Sequence, residues 1–370
     1  MNILRRLPLS RLLLVCALVV AVGVSASALA LAVGSGPTPP AKPLAQAVHD
    51  ALAGPPVEGV SASITLRNHL LEGANLASED GEAGQLAASP LLSGALGRLW
   101  IAKDGRVRVE LQAEKGDTQI LYDGHTLQLY DASTNTLYRY APPAAESAPS
   151  SDESSGERHE APSVAKIEEA IAKLSKHADV SGATPTDVAR QPAYSVRISP
   201  KERGSLFGGV ELSFDAVHGV PLRGAIYSTR STAPVIELAA TTISYGPVDG
   251  SVFAFQPPPD AKIVEPARGA RSGAKSGSQP RESDASRPKV TVHGHGVAAV
   301  AVIESRAKAE REGGASALPQ SLPKVTVNGT SASELSTALG TLLTFERAGV
   351  RYVVLGSVPA SSVEAVARGL

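Results

Sequence analysis

From Leu99 to Tyr140, apolar and polar residues alternate in short runs, and each run ends in a turn. Leu99–Ile101 stops at Lys103-Asp104-Gly105, and Val107, Val109 and Leu111 alternate with Arg106, Arg108 and Glu110. Ile120–Tyr122 stops at Asp123-Gly124, and Leu127, Leu129 and Tyr130 run into the turn 131–135. A period of two puts one set of side chains on each face of a strand, and Asp-Gly between such runs signals a hairpin. The stretch predicts an antiparallel meander with one apolar face. With 34 Gly and 27 Pro in 370 residues, turns and linkers are plentiful, which favours a β-rich fold over a helical bundle.

Further strands are expected at Val60–Leu66, Ala193–Ser199, Gly209–Phe214, Leu222–Ser228, Val235–Tyr245 and Val252–Phe255, with a turn at 215–219 and a stop at Pro257–Pro259. Two helices flank them. Leu44, Val48 and Leu52 recur every fourth residue before Gly54-Pro55, and Val164, Ile167, Ile171 and Leu174 form one apolar stripe after Pro162-Ser163. The acidic, Ser- and Pro-rich stretch 144–160 reads as a mobile loop within a domain spanning 37–266, and the locally basic stretch 267–288 as a linker. A smaller unit, 289–370, is expected to hold strands at 290–292 and 297–303, a hairpin of 341–346 with 350–358, and a last helix carrying Val363, Val366 and Leu370. Ser331 and Glu334 have the spacing of a capping box, which predicts a short helix before Gly340.

The first 36 residues set the compartment. Arg5, Arg6 and Arg11 precede an apolar run over 12–33 that ends in Ala-x-Ala patterns. That arrangement reads as a signal peptide or, uncleaved, as a signal anchor associating the chain with the membrane. Either places the rest outside the cytoplasm, secreted or tethered in the cell envelope.

Chemical motifs are sparse. Cys16 is the only cysteine, which excludes a thiolate zinc site and an intrachain disulfide. His293 and His295 share a strand face but have no third ligand at a familiar spacing, so no metal is expected. No nucleophile elbow, phosphate-binding loop or isolated carboxylate pair is present, so neither catalysis nor a cofactor is expected. A formal net charge of −1 and 4% aromatic residues argue against nucleic acid as a partner.

The order helix, strand, meander, loop, helix, meander resembles the LolA-like superfamily, and within it the actinobacterial LolA/RseB (MucB)-type secreted or membrane-anchored proteins. The resemblance is carried by Thr118–Asp131, Ser133–Tyr140, Gly209–Asp215, Gly219–Arg223, Ser251–Pro259 and the hairpin 342–359. It implies a strongly curved antiparallel sheet, an incomplete barrel, closed by helices around an apolar cavity; with the small C-terminal α+β unit read above, the chain is expected to be α+β. It also implies a lipid or acylated lipoprotein as ligand or, in RseB-like members, a membrane anti-sigma factor as partner. A structural envelope module with a filled core is the third alternative. The candidate cavity wall is Leu99, Ile101, Val107, Val109, Leu127, Leu129, Val196, Ile198, Leu212, Phe214, Ile226 and Ile236. Alternation alone does not separate a cavity wall from a closed core.

Overall fold

The computed structural model describes residues 36–72, 74, 89–114, 116–141, 161–265, 288–306 and 322–370. The apolar run 12–33, the stretch 144–160 and nearly all of 267–288 lie outside them. Among the described residues, no helix is long and apolar enough to cross a membrane.

Helix α1 (Leu44–Ala53) leads into β1 (Gly59–Asn68). A single helical turn, α2 (Pro90–Ser93), precedes the meander β2 (Ala95–Ala102), β3 (Val107–Ala113), β4 (Gly116–Tyr122), β5 (Leu127–Asp131) and β6 (Thr136–Tyr140). Helix α3 (Val164–Leu174) starts at Ser163, whose hydroxyl accepts the Lys166 N–H, and carries its apolar stripe to the end. The second run comprises β7 (Ala178–Val180), β8 (Thr184–Val188), β9 (Gln191–Pro200), β10 (Phe207–Asp215), β11 (Pro221–Ser228) and β12 (Pro234–Tyr245), followed by β13 (Lys262–Val264).

These strands make one open sheet in the order β13-β6-β5-β4-β3-β2-β1-β12-β11-β10-β9-β7, with β8 also on the free edge of β9. All pairs are antiparallel except β13 with β6. Register shifts interrupt β1 against β12, β10 against β11 and β11 against β12. Such bulges bend and over-twist a strand, and they account for a curved sheet that does not close into a barrel.

The two faces differ sharply. On the apolar face, Ile198, Val210, Ile226 and Ile236 stand in one cross-strand row, and Val196, Leu212, Gly224, Leu238, Leu66 and Ala95 in the next. Burying each large aliphatic side chain contributes about 1.5–3 kcal/mol. On the opposite face the matching row reads Arg197, Glu211, Ala225, Glu237, Arg67. Arg223 bridges Glu211 and Glu237, the latter at 2.9 Å, and the Arg197 guanidinium lies 3.8 Å from the centre of the Tyr227 ring. At β4–β6 the faces change roles. There Leu121, Tyr130 and Leu137 are buried on the polar side, where Phe255 packs 5.4 Å from Tyr130. The apolar side leaves Leu127, Tyr138 and Tyr140 exposed.

A second sheet follows, in the order β14 (Lys289–His293), β15 (Val300–Arg306), β19 (Val350–Gly356), β18 (Thr341–Arg347), β17 (Thr330–Ser336) and β16 (Lys324–Val327). Helix α4 (Ala360–Arg368) covers one side of it, with Val363 and Ala367 packed on Val302, Leu343 and Val354. The sequence Pro-Lys-Val-Thr-Val-X-Gly occurs twice, at 288–294 and 323–329, and its copies form the two edges of this sheet. In β16 the copy buries Val327 in the α4 core, whereas in β14 Val290 and Val292 are each 60% exposed.

Three sequence expectations fail. Residues 330–336 form strand β17 rather than a helix. Asn328-Gly329, both with positive φ (47° and 79°), makes a two-residue hairpin turn, and that turn chemistry prevails over capping-box spacing. The strand expected at Val252–Phe255 is absent: Gly250–Phe253 form a 3-10 turn, because the Asp249 carboxylate accepts the Ser251 N–H and starts it, and no strand follows at 254–255. Strand β15 begins at Val300 rather than Val297, since Gly296–Ala298 form another 3-10 turn, with Gly294 and Gly296 both at positive φ.

Candidate functional site

Helix α3 packs on α1 and β7, and its last turn leaves Leu174 42% exposed. Between its stripe and the apolar face of the sheet lies a cavity of about 370 Å³, within the roughly 300–1,000 Å³ range of small-molecule sites. Ile167, Ala170, Ile171 and Leu174 of α3 form one wall, and Leu44 and Val48 of α1 a second. Val180, Val196, Ile198, Val210, Leu212 and Phe214 form the floor. The strands supply these side chains because alternate residues of β9 and β10 face the same way. The helices supply theirs because the residues recur at helical spacing.

A hydrogen bond and a close-packed turn fix the walls. His49 of α1 donates from Nδ1 to the Pro162 carbonyl (2.9 Å), pinning the start of α3. At the other end of α1, the turn 215–219 presses against the last helical turn. Gly219 has φ +66°, and a Cβ there would sit 2.3 Å from the Ala51 carbonyl, so only glycine fits. Asp215, 1% exposed, holds this turn by accepting the N–H groups of Val217 (2.8 Å) and His218 (2.6 Å) and the Tyr245 hydroxyl (2.8 Å). Burial beside the Asp215 carboxylate pushes the Tyr245 phenol up, which keeps it a hydrogen-bond donor.

Among the described residues lining the cavity, Lys166 and Glu211 are the charged ones. Glu211 contributes little charge there, because its carboxylate lies on the opposite face of β10, bonded to Arg223 and, at 3.3 Å, to the Tyr227 hydroxyl. Lys166 is exposed and therefore stands at the rim. No cluster of three or more potential metal ligands occurs among the described residues. His293 and His295 are both exposed, and His295 lies 3.8 Å from Glu202.

Of the residues proposed as a wall from the sequence, Val196, Ile198, Leu212 and Phe214 meet in this cavity. Ile101 lies in a closed cluster with Val60 and Val220, against which Val107 packs. Leu99 packs between that cluster and a second one containing Ile64, Leu111 and Ile236, which Val109 also joins. Ile226 is 2% exposed within the sheet. Leu127 and Leu129 stand on the apolar face of the meander, outside the cavity. Sequence reasoning omitted the helical walls, although the α3 stripe that forms one of them is plain in the sequence.

No family model and no curated protein matches this sequence. Among solved structures, the fold is similar to the MucA/MucB complex of Pseudomonas aeruginosa, at 14% identity over 88% of this chain and 94% of that chain, with a TM-score of 0.41. It is also similar to a LolA superfamily protein from Nitrosomonas europaea, at 11% identity over 58% and 99%, with a TM-score of 0.23. A putative outer membrane lipoprotein-sorting protein domain from Vibrio parahaemolyticus shows 11% identity over 53% and 88%, with a TM-score of 0.21. At these identities and scores the likenesses assign no role to any residue described above.

Proposed function

We propose that this protein is a non-catalytic, extracytoplasmic binding protein that houses the acyl chain of a lipid or lipidated protein between α1, α3 and the sheet. The observation that carries the reading is the cavity, walled by apolar side chains from two helices and three strands. Each methylene buried there contributes about 0.8 kcal/mol, so eight of them contribute about 6 kcal/mol with no polar contact required. Leu212 sits on the floor, and Leu212→Arg would place a charge where the chain lies. Titration with a fluorescent acyl-chain probe is expected to show saturable binding near one per molecule, weakened at least about tenfold in Leu212→Arg. Absence of saturable binding to the wild-type protein contradicts the reading.

A second reading, a regulatory sensor that contacts a membrane anti-sigma factor, is favoured by how the two sheets meet. The loop joining β9 and β10, two strands of the cavity floor, bonds directly to the C-terminal unit. The Leu206 N–H and the Ser205 hydroxyl both donate to the Ser357 carbonyl (2.7 Å each), and the Val297 N–H donates to the Glu202 carboxylate (2.9 Å). Occupancy of the cavity therefore has a short route to the second sheet. Crosslinking in cells from an exposed position of the C-terminal unit, such as Arg347, tests this. A membrane partner recovered only when the cavity is competent to bind supports it, and recovery indifferent to Leu212→Arg contradicts it.

A further inference from the structure

Within the acyl-chain reading, on which this step rests, we infer that the cavity selects a single-chain amphiphile with an anionic head, and that Lys166 is the residue that reads the head. The lining is apolar apart from two charged side chains, and these are placed oppositely. The Glu211 carboxylate is turned through the sheet to Arg223 and Tyr227, so its charge is neutralised on the far face. Lys166 lines the cavity and is also solvent-exposed, which puts its aliphatic stem against the apolar wall and its ammonium at the mouth.

Two nearby carboxylates are already paired with other cations. On the same helix Lys173 pairs with Glu169 at 2.7 Å, and Lys42, just before α1, pairs with Asp50 of that helix at 2.5 Å. Among the described residues no carboxylate pairs with Lys166. Lys166 is therefore the one cation among the described lining residues, with its ammonium beside an apolar channel. The helical lining runs from Lys166 to Leu174, roughly 12 Å at 1.5 Å per residue, a span along which one extended chain can lie. A carboxylate or phosphate head on one extended chain satisfies both features, whereas a cationic head meets repulsion at the rim. Because the ammonium is exposed, the ion pair is modest and screened by salt.

Isothermal titration of the full chain, freed of bound lipid, with three probes of equal chain length tests this. The probes are dodecanoate, dodecan-1-ol and dodecyltrimethylammonium. Dodecanoate is expected to bind about two- to fivefold more tightly than dodecan-1-ol, and dodecyltrimethylammonium more weakly than either. The preference is expected to vanish in Lys166→Met, to persist in Lys166→Arg and to shrink in 0.5 M salt. Lys166 is on the surface, so neither variant disturbs the core, and dodecan-1-ol affinity serves as the control for an intact cavity. Equal binding of dodecanoate and dodecan-1-ol by the wild type, or a preference that survives Lys166→Met, overturns the head-group assignment and leaves chain binding standing. Failure of all three probes to bind overturns the acyl-chain reading and this inference with it.

Discussion

Asp215 shows how much of the site rests on one side chain. Its carboxylate is almost wholly buried and receives two backbone N–H groups and the Tyr245 hydroxyl. Removing it strands three donors at the turn that braces α1. Asp215→Ala is expected to cost about 3–5 kcal/mol in denaturant unfolding, and Tyr245→Phe about 1 kcal/mol. A loss below 1 kcal/mol in Asp215→Ala would contradict this account of the turn. Glu334 shows the opposite case. Burial, chiefly, raises its carboxyl above the ordinary range; the Ser336 hydroxyl opposes it, and the neighbouring Glu364 carboxylate adds to the rise. The folded chain therefore favours the protonated form. Its contribution is fully present below the unfolded pKa and is lost as pH rises through the folded value. Glu334→Gln is expected to raise the melting temperature by about 1–3 °C at pH 7, with the gain shrinking towards pH 4. A gain independent of pH would refute the assignment. At this scale the sequence was partly legible. The parity of β9 and β10 placed Val196, Ile198, Leu212 and Phe214 on one face, and they do line the cavity. Leu99, Val109 and Ile236 share that face but are packed under Leu91 of α2 and under Ala338 and Leu339 of the distant C-terminal unit. What covers a strand is not written in the strand.

At the scale of elements, legibility followed turn chemistry. The Asp-Gly turns fixed the meander, and the apolar stripes fixed α1 and α3. Asn328-Gly329 carried the same kind of signal, and the capping-box spacing of Ser331 and Glu334 obscured it. The Pro-Lys-Val-Thr-Val-X-Gly repeat is a further legible signal, since its two copies mark both edges of the second sheet. The turn between β8 and β9 left no signal to read. Ala189 and Arg190 both occupy the left-handed region, with φ 55° and 61°, in a two-residue hairpin closed by Val188 and Gln191. A side chain in that conformation costs about 1–2 kcal/mol, and the usual Asn-Gly pair is missing. Arg190→Gly is expected to stabilise the protein by about 1 kcal/mol, raising its melting temperature by about 2–4 °C. An unchanged or lowered melting temperature would show that Arg190 makes contacts that outweigh its strain.

On the scale of the molecule, an open, curved sheet presents one apolar face along its length, and two helices and the second sheet cover different parts of it. Where Leu339 and Ala338 dock, the face is closed core. Where α1 and α3 span β9 and β10, it forms the floor of a half-open cavity. That division follows from long-range packing between elements far apart in the chain, which a local pattern does not specify. It is also what separates a binding protein from a structural module with the same strands. The decisive measurement is mass spectrometry of a solvent extract of the protein purified from the cell envelope, in parallel with Leu212→Arg. The account predicts a lipid or acyl species near stoichiometric amounts in the wild type and its loss from a variant that remains folded. A folded, monodisperse wild type that carries no such species and takes up none when offered would contradict it.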